Sequence, residues 1–374
     1  MSTTYREVTH TSYFRRILNS FVGALIGLLL FFGSFIVIWW NEGRTNLALV
    51  AAESIPVSAA TVDGANQGKF LAVTGDLVAT ENVGDPPYLQ PGPYLQLRRE
   101  VEMFAWVEET KSTERTKVGG GSETVTEYSY VQKWTDAPNN SADFKQPEGH
   151  ANPTLSIPKS ILRAPGAQLG AYAIDLNQLT MPGGSELPLT PQNVGADAGG
   201  KVEGNYLFLG QGALNSPQIG DIRISYLALT SPAAVTVFGD QQGGQLTPHL
   251  YDKGSTFFRA LAGDRNSAIS QLQTEHTITT WVLRGVAFLM LWIGLMMVLN
   301  PLATLAGILP ILESITGFVT GLVAFIVALV IWAVATLISV VLHNIWLALI
   351  AALLVVGVIV YLMRRRQANK LQPT

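Results

Sequence analysis

Residues 21–40 read FVGALIGLLLFFGSFIVIWW, an apolar run that contains no charged residue. As a helix with a rise of about 1.5 Å per residue, this run covers the roughly 30 Å hydrocarbon core of a bilayer. A cleaved signal peptide is the alternative, but its apolar part is usually about 7–15 residues long and ends at small residues. Here the polar sequence Asn41-Glu42-Gly43-Arg44 follows directly. The run therefore predicts a transmembrane helix rather than a cleaved signal.

Three more apolar segments lie near the end of the chain, at residues 281–299, 315–341 and 345–363. Each is long enough to cross a bilayer as a helix. Residues 300–314 between the first two are predicted to be a loop, and residues 342–344 a short turn. With four spans in total, both ends of the chain are expected on the same side of the membrane.

Positive charge predicts which side that is. Basic residues flank the outermost spans, at Arg6, Arg15, Arg16, Arg364, Arg365, Arg366 and Lys370. Because basic residues near membrane spans are enriched on the cytoplasmic side, segments 1–20 and 364–374 are predicted to be cytoplasmic. Residues 41–280 then form one exoplasmic block, in the periplasm of a Gram-negative bacterium or the lumen of the endoplasmic reticulum of a eukaryote.

The charge balance supports this division and excludes several functions. The block 41–280 holds 25 of the 27 acidic and 16 of the 24 basic residues, so its net charge is −9 and that of the remainder is +6. An acidic block argues against a nucleic-acid partner, which needs clustered Lys and Arg, whereas the basic ends suit anionic membrane lipid. The chain has no cysteine, which excludes disulfides, thiol catalysis and cysteine-ligated zinc.

Alternating apolar and polar residues predict that the block is rich in β-strands. The clearest pair is 95–109 and 123–134, which the glycine-rich residues 111–122 join into a long hairpin whose tip is expected to project into solvent. Further strands are predicted at residues 69–74, 206–209, 221–229 and 234–239. Helices are predicted at residues 156–163, 255–280 and 45–54, the last two as stiff stalks that continue the neighbouring spans. The predicted fold class is thus an α+β membrane protein with four transmembrane helices and a β-rich block between the first and second.

Several short runs resemble those of the transmembrane protein 43 (LUMA) family, in the same order and spacing over about residues 20–363. The runs are Asn41-Glu42-Gly43-Arg44; LRREVEMFAWVE at 97–108, with Arg98, Arg99, Glu100, Glu102 and Trp106; Tyr128-Ser129-Tyr130 with Trp134; Gly149-His150-Ala151-Asn152-Pro153; GDIRIS at 220–225, with Asp221 and Arg223; and Thr280-Trp281-Val282-Leu283-Arg284.

The resemblance implies four spans, a large exoplasmic domain and self-association. In animals it implies a role in organising membrane protein complexes of the endoplasmic reticulum and inner nuclear envelope, with lamins and emerin as partners, and no enzymatic reaction. The compact chain carries no nuclear or endoplasmic targeting feature, which favours a bacterial member in the inner membrane. For a bacterial chain we expect the scaffold role to apply, with membrane lipid, other membrane proteins and further copies of the chain as partners. The nuclear partners and nuclear location are not expected to apply.

The polar residues of the block offer weak candidates for chemistry. His150 beside Asn152 could bind a ligand or orient a base, but such a pair more often ties a loop together. The charges around Arg98 and Arg99 could clamp an anion, but alternating charges on a strand usually form cross-strand pairs. Asp221 and Arg223 are expected to form an ion pair or to anchor a loop. No catalytic residue, metal site or cofactor is predicted, because the five histidines are scattered and no Gly-x-Ser-x-Gly motif occurs.

Two features of the spans bear on assembly. Arg284 lies three residues inside the second span, where its side chain is expected to reach the interface, or else to pair with a carboxylate of the block or a lipid phosphate. Glycine pairs four residues apart provide faces for close helix packing, within one chain or between chains. These pairs are Gly23 with Gly27 and Gly317 with Gly321.

Three functions of different classes are consistent with the sequence. The favoured one is a non-catalytic membrane scaffold that self-associates and organises other membrane proteins through its exoplasmic domain. The second is an exoplasmic or interfacial enzyme that acts on lipid or envelope material. The third, an oligomeric pore, is disfavoured because the centres of the spans carry no ionisable residue.

Overall fold

The protein combines a large β-rich part with long apolar helices. The computed structural model describes residues 4–252, 254–306 and 310–370, with the helical backbone alone at 306, 310–317, 351 and 362–370. The chain forms two compact units. The sheet unit comprises Met1–Glu7, Asn46–Ser112 and Thr126–Thr274, and the helix unit comprises Val8–Thr45, Thr113–Val125 and Glu275–Thr374.

The described residues contain five α-helices and nineteen strands. The helices are α1 Tyr13–Glu42, α2 Leu47–Ala52, α3 Arg265–Ala306, α4 Pro310–His343 and α5 Ile345–Lys370. The strands are β1 Thr4–Thr11, β2 Ile55–Ser58, β3 Phe70–Ala79, β4 Val83–Asp85, β5 Leu89–Gly92, β6 Tyr94–Thr116, β7 Ser122–Thr135, β8 Ser160–Arg163, β9 Ala167–Leu169, β10 Tyr172–Ile174, β11 Ser185–Glu186, β12 Lys201–Glu203, β13 Tyr206–Leu209, β14 Ile222–Thr230, β15 Ala233–Gln242, β16 Gln245–Thr247, β17 His249–Asp252, β18 Ser255–Phe257 and β19 Arg259–Ala262.

Two large sheets build the sheet unit around one hydrophobic core. The first has the order β1-β7-β6-β14-β13-β12, with β11 beside β14 and β8 beside β6, and the second has the order β19-β15-β16-β10-β9-β3-β2, with β15 also beside β3. Leu97 and Ile224 of the first sheet and Leu71 and Val237 of the second belong to the same buried cluster. The other face of the second sheet packs against α2 and the first turns of α3 through a separate cluster that includes Phe257.

The predicted hairpin and the other predicted strands are confirmed. The helix predicted at residues 156–163 is wrong, and the helix predicted at residues 255–280 begins only at Arg265. Residues 156–163 were expected to be a helix, whereas Ser160–Arg163 is strand β8, whose Ile161 pairs with Arg98 of β6. Residues 255–262 form strands β18 and β19 before α3 begins. Phe257 and Phe258 are buried in different clusters, which is the two-residue alternation of a strand and not of a helix.

The spans are helical, but their ends differ from the prediction. In the described part of the chain α1, α3 and α4 are long and apolar enough to cross a membrane, and Ile345–Tyr361 of α5 is a shorter apolar helix. Helix α3 continues through residues 300–306, which were predicted to be a loop, while residues 307–309 lie outside the described residues. Residues 45–54 do not extend α1, because α1 ends at Glu42 with Gly43 as its C-cap and α2 is separate.

Helices α1 and α3 pack antiparallel within the helix unit. Near one end Tyr13 donates to the carbonyl of Leu305 (3.0 Å), and near the other Asn41 donates to the carbonyl of Thr280 (3.2 Å). Between these ends, a Cβ atom added to Gly27 would lie 2.6 Å from the carbonyl oxygen of Gly294. The two backbones therefore approach as closely as glycine permits.

The tip of the hairpin β6–β7 does not simply project into solvent. Val118 is 84% exposed, but Gly120 lies against the ring of Tyr13 and its carbonyl accepts a hydrogen bond from Arg16 (2.7 Å). If α1 crosses a bilayer, the tip and the first turn of α1 lie on the same side of it. For the tip this contact counts against placing residues 1–20 and 41–280 on opposite sides of a membrane, and the sides themselves stay a prediction.

Candidate functional site

A buried ion pair lies on the core face of β6. The Arg99 guanidinium contacts both carboxylate oxygens of Asp85 at 2.9 and 2.8 Å, and the Tyr226 hydroxyl donates to Asp85 at 2.6 Å. Arg99 also donates to the carbonyl of Pro158 and lies over the ring of Tyr88. Burial and the hydrogen bond to Asp85 raise the pKa of Tyr226. Every charge in this group has a partner, as a buried charge requires.

The family-like charges on the opposite face of β6 form ion pairs near the surface. Arg98 lies 2.7 Å from Glu100, and Lys159 lies 3.2 Å from Glu100 and 2.6 Å from Asp136. The hydrogen bond from Lys159 lowers the pKa of Asp136. This arrangement confirms ion pairing over an anion clamp, and exposed pairs of this kind add little stability.

Arg223 pairs with Glu102 and not with Asp221. Its Nε lies 2.7 Å from Glu102 Oε2, directly across the β6–β14 ladder. The guanidinium also stacks between the rings of Trp134 and Tyr206, 4.6 Å from each centroid. Such a stack suits the planar guanidinium and fixes three strands of the first sheet to one another.

Asp221 anchors a loop, which is one of the two roles predicted for it. Its buried carboxylate accepts backbone hydrogen bonds from Gln211 (3.0 Å), Gly212 (3.2 Å) and Gln218 (2.7 Å). A Cβ atom on Gly212 would lie 2.5 Å from Asp221 Oδ2, so glycine is needed for this approach. The carboxylate therefore has a structural role in holding residues 210–218.

His150 and Asn152 tie their loop to the hairpin. The His150 ring stacks on Tyr130 (4.0 Å between centroids), and its Nδ1 lies 2.9 Å from the carbonyl of Gln146. The Asn152 amide accepts from the Trp106 N–H (2.8 Å) and donates to the Trp106 carbonyl (2.9 Å), as a neighbouring strand would. Gly149 has φ +80°, a conformation that favours glycine. Of the two roles considered for His150, the geometry matches loop fixation.

A polar cluster at one end of α1 and α3 joins the two family-like runs that flank the spans. Arg284 Nε and Nη2 donate to the two carboxylate oxygens of Glu42, each at 2.8 Å. Arg44 donates to Thr280 Oγ1 (3.1 Å) and to Asn41 Oδ1 (3.3 Å). Arg284 lies over the ring of Trp281. Of the two roles predicted for Arg284, the structure shows pairing with a carboxylate of the block 41–280, that of Glu42.

The glycine pairs of the spans serve contacts within the chain where they are described. Gly23 and Gly27 face Met297 and Gly294 of α3, and the carbonyl of Gly321 accepts from Trp292 (3.3 Å). Gly317 lies in α4, outside the residues whose side-chain surroundings are described. The observed packing therefore joins α1 to α3 and α3 to α4 in one copy of the chain.

Sequence reasoning missed the pairing of Arg99 with Asp85, and it offered a carboxylate partner for Arg284 without naming Glu42. Residues Val101, Met103 and Ala105 form the aliphatic face of β6, and Arg99 lies two residues earlier on the same face. This spacing indicates that the Arg99 charge is buried against the core. Glu42 and Arg284 carry opposite charges at the membrane exits of successive spans, a signal that could have identified Glu42 as the partner. In the described part of the chain no three His, Asp or Glu side chains form a group that could hold a metal ion.

Comparison with known proteins agrees with the motifs. A family model described as transmembrane protein 43 matches residues 103–346. The mouse and human transmembrane protein 43 are each 28% identical over 330 residues, which cover 81% of this chain and 80% of theirs. The fruit-fly (Drosophila melanogaster) homologue is 25% identical over 283 residues, 72% of this chain and 75% of its own. No solved structure matches. The chain is an integral membrane protein that belongs to the transmembrane protein 43 family.

Proposed function

We propose that this protein is a multi-pass membrane scaffold that self-associates and organises other membrane proteins. One observation carries the proposal: the family-like polar residues are used to hold the structure together. Arg99 is bonded to Asp85, Arg223 to Glu102 and Arg284 to Glu42. Residues kept for catalysis would line an open cleft with unsatisfied groups, whereas these residues stabilise a fixed surface on which other proteins can assemble.

The charge asymmetry supports a placement in the membrane. The basic ends of the chain favour the cytoplasm, and the net charge of −9 on residues 41–280 favours the exoplasmic side for that block, which in a bacterial inner membrane is the periplasm. In this proposal partners bind the exoplasmic face of the sheet unit. The family resemblance supports the assembly role.

Self-association is tested with two tagged copies of the full chain expressed in one cell. Membranes are extracted with a lipid-retaining polymer, one tag is captured, and the second tag and the particle mass are measured. We expect the second tag to be captured and the mass to exceed that of one 40.4 kDa chain by a whole number of copies or by other membrane proteins. In the control, the two tagged copies are expressed separately and mixed after extraction. Capture of the second tag to the same extent in this mixture would indicate aggregation. Particles that contain a single chain and no other protein would contradict the scaffold.

A further inference from the structure

A polar cavity lies within the helix unit beside the first turns of α1. Its volume is about 430 Å³, within the range of small-molecule sites. The nine described residues that line it are all polar: five carry hydroxyls, two carry amides, and the others are Arg16 and Glu114. Neither the family-like motifs nor the proposed scaffold role uses this cavity.

The position of the cavity matches the depth of lipid headgroups. Ser20, which lines it, immediately precedes the apolar run 21–40, and Asn300, which also lines it, immediately follows the apolar run 281–299. A helix pair placed in a bilayer by these runs therefore has the cavity at the boundary between hydrocarbon and water.

The wall of the cavity carries one positive and one negative group close together. The Arg16 side chain is 11% exposed and forms an ion pair with Glu114, with 3.7 Å between Nε and Oε1. Arg16 is held in place by its hydrogen bond to the carbonyl of Gly120. A ligand that carries an anion and a cation a few bonds apart would match both groups.

A buried hydroxyl supplies independent support for a ligand. Ser122 lines the cavity and is 3% exposed, and in the described part of the chain its Oγ has no hydrogen-bond partner. Buried polar atoms nearly always have a partner. This hydroxyl can donate to a group inside the cavity.

We propose that the cavity binds a phosphoethanolamine headgroup. The phosphate accepts hydrogen bonds from Arg16 and Ser122, and the primary ammonium donates to Glu114. Inorganic phosphate or an anionic headgroup would place negative charge near Glu114 without a compensating cation, and a choline headgroup has no N–H to donate. The depth of the cavity assigns the headgroup to phosphatidylethanolamine rather than to a free phosphoethanolamine molecule.

The test is native mass spectrometry of the full chain in detergent. The chain is titrated with phosphatidylethanolamine, phosphatidylcholine and phosphatidylglycerol of the same acyl chains. We expect phosphatidylethanolamine to bind tightest and Arg16→Gln to weaken it about tenfold or more, because a charge-assisted hydrogen bond is lost. Arg15→Gln is the matched control, since Arg15 is exposed and does not line the cavity; it should bind as the unmodified chain does.

A second variant keeps the test decisive if Arg16→Gln does not fold. Glu114 is 55% exposed, so Glu114→Gln should fold, lose the preference for phosphatidylethanolamine over phosphatidylglycerol and retain phosphatidylglycerol binding. Equal affinity for the three lipids, or equal losses in Arg15→Gln and Arg16→Gln, would overturn the site. Displacement of the lipid by an equimolar amount of soluble phosphoethanolamine would overturn its assignment to a lipid. None of these results depends on whether the chain self-associates.

Discussion

Arg99→Met should lower the free energy of unfolding of the full chain by about 3–5 kcal/mol, the usual cost of removing one partner of a buried ion pair. Methionine keeps much of the side-chain volume but leaves the Asp85 carboxylate buried, and among the described side chains only the Tyr226 hydroxyl then donates to it. The change is measured by denaturant titration of the full chain in detergent, followed by near-ultraviolet circular dichroism. Adding Asp85→Asn to Arg99→Met should recover part of the loss, because the uncompensated charge is removed.

Arg98→Met is the matched control for this prediction. Arg98 is the preceding residue of the same strand, but it lies on the outer face and its side chain is 49% exposed. An exposed ion pair is worth about 0–1 kcal/mol, so its loss should change stability little. Equal effects of the two substitutions would show that burial of Arg99 does not stabilise the sheet unit.

Gly27→Leu should separate α1 from α3 and destabilise the helix unit by about 1–3 kcal/mol, as overpacking of a tight contact does. A Cβ atom at this position would lie 2.6 Å from the Gly294 oxygen and 2.7 Å from the Met297 Cβ, distances that packed atoms do not adopt. The helices must therefore move apart. The temperature at which the full chain unfolds in detergent measures the effect.

The same substitution at an exposed glycine of α3 separates the effect of packing from that of helix propensity. Gly285 is exposed on α3, and an added Cβ would have no neighbour within 4 Å among the described residues. Gly285→Leu should leave the unfolding temperature unchanged or raise it, because leucine favours helix more than glycine does. A Gly27→Leu chain as stable as the Gly285→Leu chain would show that the α1–α3 contact does not hold the helix unit together.

The membrane helices could be predicted from sequence because an uncharged apolar run long enough to cross a bilayer is typical of a transmembrane helix. Their ends could not, since hydropathy marks where lipid begins and not where helical hydrogen bonds stop. Helix α3 continues past Asn300, and Thr304 Oγ1 bonds to the Asn300 carbonyl one turn earlier. The pair Asn300-Pro301 is typical of a break between helices, but α3 continues through it.

A strand could be predicted where its own sequence alternates between apolar and polar residues. It could not be predicted where only pairing with another strand makes the segment extended. Strand β6 alternates over many residues and was found. Strand β8 contains Ile161, which is 58% exposed, and has no alternating pattern of its own. It is a strand because β6 supplies its hydrogen-bond partners, and that contact is invisible to local propensity.

The polar pairs of the site required knowledge of which elements are neighbours. Both Arg284 and Glu42 belonged to family-like runs, but 242 residues separate them, and nothing local says that α1 and α3 pack antiparallel. The contact of the hairpin tip with α1 likewise joins residues that are far apart in the sequence. Residues 111–122 are polar and glycine-rich, as any exposed loop is, and their packing partner lies about a hundred residues earlier.

The central structural claim is that the hairpin tip, α1 and α3 form one body, and cysteine labelling tests it most directly. The chain has no cysteine, so Val8→Cys and Val118→Cys each introduce a single thiol at a residue that is 52% and 84% exposed. A membrane-impermeant maleimide is applied to sealed vesicles before and after permeabilisation. We expect both thiols to react from the same side of the membrane. Reaction of one thiol only before permeabilisation and of the other only after it would contradict this arrangement.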